Sequence, residues 1–128
     1  MQKIIKVFTR HDKRGIFLEY FNSKTGWQSI NGGFMKKGSI IGNHYHKKCL
    51  TMFFVMSGSA MIFYKNINSP RSKTKKFILS KSQGCIFKPY ETHAVKFLEG
   101  SSFVLLKTRK FSEKNKDIFK APLIKKPG

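Results

Sequence analysis

The stretch Gly38-Ser-Ile-Ile-Gly42-Asn43-His44-Tyr45-His46 places two imidazoles two residues apart, and its reading decides the fold. It is expected at the start of a strand, where residues i and i+2 point to one face, so both rings reach toward a common point. A second stretch, Gly84-Cys-Ile-Phe-Lys-Pro89-Tyr-Glu-Thr-His93, opens another strand after a proline turn and brings a third imidazole. An H-x-H pair alone is a weak signal. The flanking glycines and the Pro-then-His segment make the joint pattern that of a metal site. Three facial imidazoles at ~2.0–2.1 Å suit zinc, and related geometries hold iron, manganese or nickel with positions open for substrate. No organic cofactor is expected.

Outward from these segments the chain reads as strand after strand. Lys3–Phe8, Gly15–Tyr20 and Trp27–Phe34 precede the first histidine pair. Leu50–Met56 and Ala60–Tyr64 follow it, joined by Ser57-Gly58-Ser59, which reads as the tight turn of a hairpin. Lys76–Leu79, Cys85–Lys88, His93–Phe97 and Phe103–Lys107 continue the series, and Asn66 to Lys76 reads as an exposed loop. Phe111–Phe119 holds at most a short C-terminal helix, with Ser112 as its N-cap. Short strands at this spacing imply an all-β sandwich or barrel. With no repeat and no linker, residues 1–128 are expected to be one domain. Phe53, Phe54, Phe63, Phe87 and Phe103 are the expected core, with Cys49 and Cys85 buried, Gly58 and Gly84 in turns, and His11 on the surface.

Composition narrows the class. Of 128 residues, 40% are hydrophobic and 13 are Phe, enough to close a core and to exclude a disordered chain. The two cysteines cannot form a disulfide framework. No apolar run nears the ~18 residues of a membrane span, and the N-terminus lacks a signal-peptide pattern, so a cytoplasmic protein without membrane attachment is expected. Lys plus Arg is 26 against 6 acids, a net charge of +20. Lysine dominates that surplus, with only Arg10, Arg14, Arg71 and Arg109 able to make bidentate phosphate or guanine contacts. No nucleic-acid recognition motif accompanies them. The charge is read as a field that draws small anions into a cleft rather than as a specific nucleic-acid surface.

Gly38 to Gly58 resembles the first cupin motif, with Gly38, His44, His46 and Gly58 matching and Thr51 where the family usually has Glu. Gly84 to His93 resembles the second, with Gly84, Pro89 and His93 in order and Phe97 replacing the usual Asn. The resemblance implies a cupin-type jelly-roll barrel, often a homodimer, with its site in the mouth. Asp12-Lys-Arg14-Gly15-Ile-Phe17-Leu-Glu19 is similar to the opening of the dTDP-4-dehydrorhamnose 3,5-epimerases. Gln28-Ser-Ile-Asn31 with Gly42 to Lys48 is similar to the cupin domain of capsular-polysaccharide keto-sugar epimerase/reductases, and H-x-H-K-K to sugar 3,4-ketoisomerases. Ile41 stands where the epimerases carry Arg. These resemblances imply a nucleotide-linked keto-sugar as substrate.

The implied chemistry is proton transfer beside a keto group, with the enediolate stabilised by a metal or by hydrogen-bond donors. Two versions compete for the same residues. His44, His46 and His93 are metal ligands in one; in the other His44 is the base and His46 its helper. Tyr45, Tyr64 and Tyr90 are catalytic candidates on their chemistry alone, with Tyr90 preferred. Arg14, Glu19, Lys37 and Lys48 are the expected substrate-binding residues, and Glu91 a partner that orients a ring. The rival readings are a non-catalytic cupin that binds a sugar or other small anion, and a metal-dependent oxygenase or lyase.

Overall fold

The computed structural model describes residues 4–20, 26–69, 71–109, 112 and 114–125. Its strands are β1 (Ile5–Lys6), β2 (Phe8–Asp12), β3 (Gly15–Glu19), β4 (Ser29–Met35), β5 (Ile40–Tyr45) and β6 (Thr51–Ser57), then β7 (Ser59–Asn66), β8 (Lys75–Ser80), β9 (Gln83–Phe87), β10 (Glu91–Phe97), β11 (Ser101–Lys107) and β12 (Phe119–Lys120). One five-stranded sheet runs β1-β9-β6-β11-β4 and a second runs β12-β5-β10-β7-β8, while β2 and β3 form a separate hairpin. Every pairing is antiparallel. Consecutive strands repeatedly change sheets, which makes the sandwich a jelly roll. The all-β expectation holds.

Strand β6 explains the layering. Its run Thr51–Val55 is buried at every position because it sits inside a sheet covered on both faces. Phe53 and Val55 point into the sandwich with Ala60, Ile62, Leu79, Cys85, Phe87, Val95, Phe97 and Phe103. Met52 and Phe54 point the other way and pack with Val7 and Leu106 under Ile5, Leu18, Tyr20 and Trp27. Of the expected core, Phe63 is only half-buried on the outer side of β7, and Phe97 takes an interior place instead.

Several expectations are corrected. Strands β6 and β7 do not pair; the Gly58 turn carries the chain from one sheet to the other, at φ 86° with Ser101 and Gly100 where a Cβ would stand. The same tight turn serves a hairpin or a corner, and two strands that each bury a face in the sandwich can sit on opposite sheets. Gly84 is not in a turn but within β9, where the Phe54 ring lies against its bare Cα. No helix forms at the described residues of Phe111–Phe119; Ser112 Oγ accepts from the Asn115 amide, and Phe119 starts β12. Phe111 and Glu113 of that segment lie outside the described residues. Among the described residues no helix is long and apolar enough to cross a membrane.

The H-x-H segment ends β5 rather than starting a strand. Strand β5 begins at Ile40, after a turn at Gly38 (φ 86°), and pairs with β10 as Ile40↔Lys96, Ile41↔Val95, Gly42↔Ala94 and His44↔His93. Asn43 is the extra residue of a β-bulge, with φ 91° at Gly42 and 61° at Asn43. At Gly42 a Cβ would meet the His93 carbonyl oxygen at 2.8 Å. Gly42→Ala therefore combines a left-handed backbone penalty of ~1–2 kcal/mol with that clash. It is expected to lower the urea midpoint by the equivalent of about 2 kcal/mol or more, whereas Gly26→Ala, with nothing within 4 Å of its Cβ, leaves it unchanged.

Candidate functional site

The bulge aims the imidazoles. Ring centroids are 5.0 Å apart for His44 and His46, 4.9 Å for His44 and His93, and 5.8 Å for His46 and His93. The three rings that the spacing predicted to meet do meet, at one end of the sandwich. His46 and His93 are buried and His44 is half-buried. The His93 ring lies flat on Phe87, centroids 4.0 Å apart and planes 3° from parallel.

Two backbone carbonyls set the tautomers. His46 Nδ1 lies 2.5 Å from the Asp117 carbonyl oxygen, and His93 Nδ1 lies 3.2 Å from that of Glu91. A carbonyl only accepts, so each Nδ1 carries the proton and donates it. In the neutral ring this leaves Nε2 with a free lone pair, the form that takes a proton or binds a metal. The Glu91 side chain, expected as a ring partner, does not meet His93 in these bonds; the contact is through its backbone carbonyl, and its carboxylate accepts from the Lys88 amide at 3.5 Å.

Burial keeps these rings neutral. Desolvation, aided by the neighbouring His44, pushes His93 down to about 3. Burial also lowers His46, and the carbonyl and charge of Asp117 only partly restore it. At Asp117, burial opposes ionisation, yet amide donation from Lys47, Lys48 and Cys49 outweighs it and holds the carboxyl below its usual range. Those three bonds measure 2.8, 3.0 and 2.9 Å and fix the backbone immediately after His46.

The Asp117 segment is part of a C-terminal strap. The Asn43 side chain accepts from the Leu123 and Ile124 amides at 3.0 and 3.3 Å and donates to the Ile124 carbonyl at 3.0 Å. Thr92 Oγ1 donates to the Ala121 carbonyl at 2.6 Å, and β12 pairs with Tyr45 and His44. Under the strap a cleft of about 500 Å³ opens beside His46. One wall is the start of β4, through Ser29 and Asn31 with Gln28 just before it; another is the end of β11 at Lys107, with Arg109 just beyond it. Cys49 and the strap, including Asn115, Asp117 and Ile118, complete it.

Other expected site residues lie elsewhere. Arg14 is exposed at the tip of the β2–β3 hairpin, its guanidinium 2.8 Å from Asp12, and Glu19 is exposed at the end of β3. Lys37 sits in the turn before β5, and Lys48 is exposed with its amide on Asp117. Tyr90 holds φ 63°, donates its amide to the His46 carbonyl at 2.6 Å, and stacks on Tyr45. None of these five lines the cleft. Thr51 is buried, with Cys49 Sγ 3.7 Å from its hydroxyl, and Cys85 is sealed in the core, where burial raises its thiol. Sequence reasoning missed Asp117, Lys107 and Arg109. An acid among the lysines of the C-terminal segment, one of two there with Glu113, was the available signal for the first.

The donor set fits a divalent cation in chemistry: three imidazoles, two already oriented by carbonyls, with ligand atoms all within 4.8 Å of one another. Two nitrogens on one ion at ~2.1 Å each lie at most about 4.2 Å apart, so a cation would tighten the cluster.

A jelly roll carrying an H-x-H pair at the end of one strand and a third imidazole on the neighbouring strand defines a cupin. The chain belongs to the polysaccharide biosynthesis C-terminal domain family, which it matches over residues 10–119. Among solved structures it is similar to a dTDP-4-dehydrorhamnose 3,5-epimerase from Sulfolobus tokodaii, with 25% identity and a TM-score of 0.77 over 89% of this chain and 74% of that one. It also resembles a 3,4-ketoisomerase from Helicobacter canadensis, with 20% identity, a TM-score of 0.78, and 92% and 89% of the two chains covered. The capsular polysaccharide assembling protein CapF from Staphylococcus aureus matches at 21% identity and a TM-score of 0.70 over 91% of this chain but 33% of that protein. No curated protein sequence matches.

The neutral state of His93 makes stability depend on pH. An unfolded imidazole takes up its proton near 6.5, the folded one only near 3. Between these values the unfolded chain binds more protons, so stability is complete above about 6.5 and falls as pH drops toward 3. Urea unfolding is expected to show a slope of about 1.4 kcal/mol per pH unit from this residue. His93→Gln is expected to flatten that slope.

Proposed function

We propose that this chain transfers a proton next to the keto group of a nucleotide-linked 4-keto-6-deoxy sugar, as an epimerase or ketoisomerase. The observation that carries the reading is the cluster of three imidazoles, in which Nδ1–H···O=C bonds leave neutral His46, which lines the cleft, and neutral His93 behind it with lone-pair Nε2 atoms. Likeness to an epimerase at 25% identity over most of the chain supports the substrate class. His44 is the base, being the least buried of the three, and His46 holds it in place from 5.0 Å away. The keto group acidifies the adjacent C–H, and a neutral imidazole accepts that proton. Substrate anions enter beside Lys107 and Arg109, the two cations of the cleft wall. In this reading the roles first sought in Arg14, Glu19, Lys37, Lys48 and Tyr90 are supporting ones, outside the cleft of a single chain.

A second reading draws on the donor set. His44, His46 and His93 would hold a divalent cation, which supplies Lewis acidity to the keto oxygen. A ligated ring cannot also be the base, so the two readings separate in the tube. Stoichiometric metal that disappears in His44→Ala favours ligation; active, metal-free protein favours the base.

The test is incubation with dTDP-4-keto-6-deoxyglucose in D2O, followed by mass spectrometry. Deuterium is expected beside the keto group, and His44→Asn is expected to slow its entry by about 10²–10⁴-fold. Absence of wash-in under all metal conditions overturns the reading.

We also infer a homodimer. Ile30 (70% exposed) and Phe34 (64%) lie on β4, the unpaired edge of its sheet, and Ile16 (60%) and Phe17 (51%) lie on the hairpin. Light scattering is expected to give twice 14.8 kDa, reduced toward one chain by Phe34→Glu. A monomeric parent chain contradicts it.

A further inference from the structure

Ser101, Phe103, Leu105 and Lys107 alternate onto one face of β11, and Phe103 and Leu105 pack in the interior cluster. Lys107 is therefore the last inward residue of its strand, half-buried where the apolar interior gives way to the cleft. Its register neighbours are Ser29 on β4 and Thr51 on β6, neither of which carries charge. Among the described residues no carboxylate lies within ion-pair distance of it. The acid of the cleft, Asp117, directs its carboxylate to three backbone amides. The Lys107 charge nonetheless reaches the imidazoles, since it opposes protonation of both His46 and His93. An inward ammonium with no carboxylate of the described residues in ion-pair reach, beside neutral imidazoles, is complementary to a negative charge that forms between them.

We propose that Lys107 is a catalytic residue, whose ammonium stabilises the oxyanion that forms when an imidazole removes a proton beside a keto group. The assignment rests on the keto-sugar reading above. In that step the C–H electron pair becomes the new C=C bond, the carbonyl π pair moves onto oxygen, and the proton passes to the imidazole. Lys107 donates a hydrogen bond to the new oxyanion and keeps its own proton. Return of the imidazole proton to carbon reverses the electron flow.

Oxalate, a planar dianion with two adjacent oxygens like those of an enediolate, is the probe. Binding is followed through the histidine ring signals in NMR for the parent chain, Lys107→Met, Lys107→Arg and the surface control Lys96→Met. The parent chain is expected to show perturbed rings of His44, His46 and His93. Lys107→Met is expected to bind at least tenfold more weakly, Lys107→Arg within a few-fold of the parent, and Lys96→Met unchanged. On dTDP-4-keto-6-deoxyglucose, kcat is expected to fall by about 10²–10³ in Lys107→Met with KM little changed. If the methionine variant does not fold, Lys107→Gln carries the same comparison. Unperturbed rings, or oxalate affinity in Lys107→Met equal to the parent's, overturns the assignment. Oxalate binding through Lys107 without deuterium wash-in refutes the keto-sugar reading and retains the oxyanion site. Wash-in with unchanged kcat in Lys107→Met refutes the lysine alone.

Discussion

One bulge holds the site together. Gly42 and Asn43 take left-handed backbone angles so that His44 comes level with His93 across the β5–β10 ladder. The residue that the bulge inserts is itself the anchor of the C-terminal strap, through three side-chain hydrogen bonds to Leu123 and Ile124. The strap in turn supplies the carbonyl that fixes the His46 tautomer and the carboxylate that fixes the loop behind it. Ring orientation, tautomer and cleft wall are thus coupled to a single local departure from regular pairing. A regular ladder would have placed Asn43 opposite His93 and turned the rings elsewhere.

The electrostatic character of the site runs against the composition. A chain of net charge +20 presents, at the mouth of its sandwich, bases kept uncharged by burial and by the positive field around them. Cationic surroundings disfavour imidazolium and favour any anion that enters, so the lysine surplus acts in the same direction on both. Asp117 offsets this only in part, its carboxylate being held by three backbone amides.

How much of this was legible in the sequence follows from what each signal encodes. The imidazole trio was legible because an H-x-H pair and a Pro-then-His segment can be seen without knowing the register, although their convergence depends on the bulge. The bulge was not, since Gly42-Asn43 reads equally as a turn, and its consequence depends on which residue of β10 stands opposite. The Ser57–Ser59 turn looked like a hairpin because sheet assignment of β6 and β7 is settled by long-range pairing with β9, β11, β8 and β10. Lys107 and Arg109 sat in a run of basic residues that resembled solvated surface; only the inward phase of β11 separates Lys107 from that run. Strand β2 was missed because all five of its residues are exposed and show no alternation.

The central claim is that three imidazoles share one point, with protons held on the Nδ1 atoms of His46 and His93. Nitrogen-15 NMR of ring-labelled protein at neutral pH measures this directly. The account predicts neutral His46 and His93 rings protonated at Nδ1, with cross-relaxation between ring protons of His44 and His93. Charged rings, Nε2 protonation, or no ring-to-ring contact would contradict it.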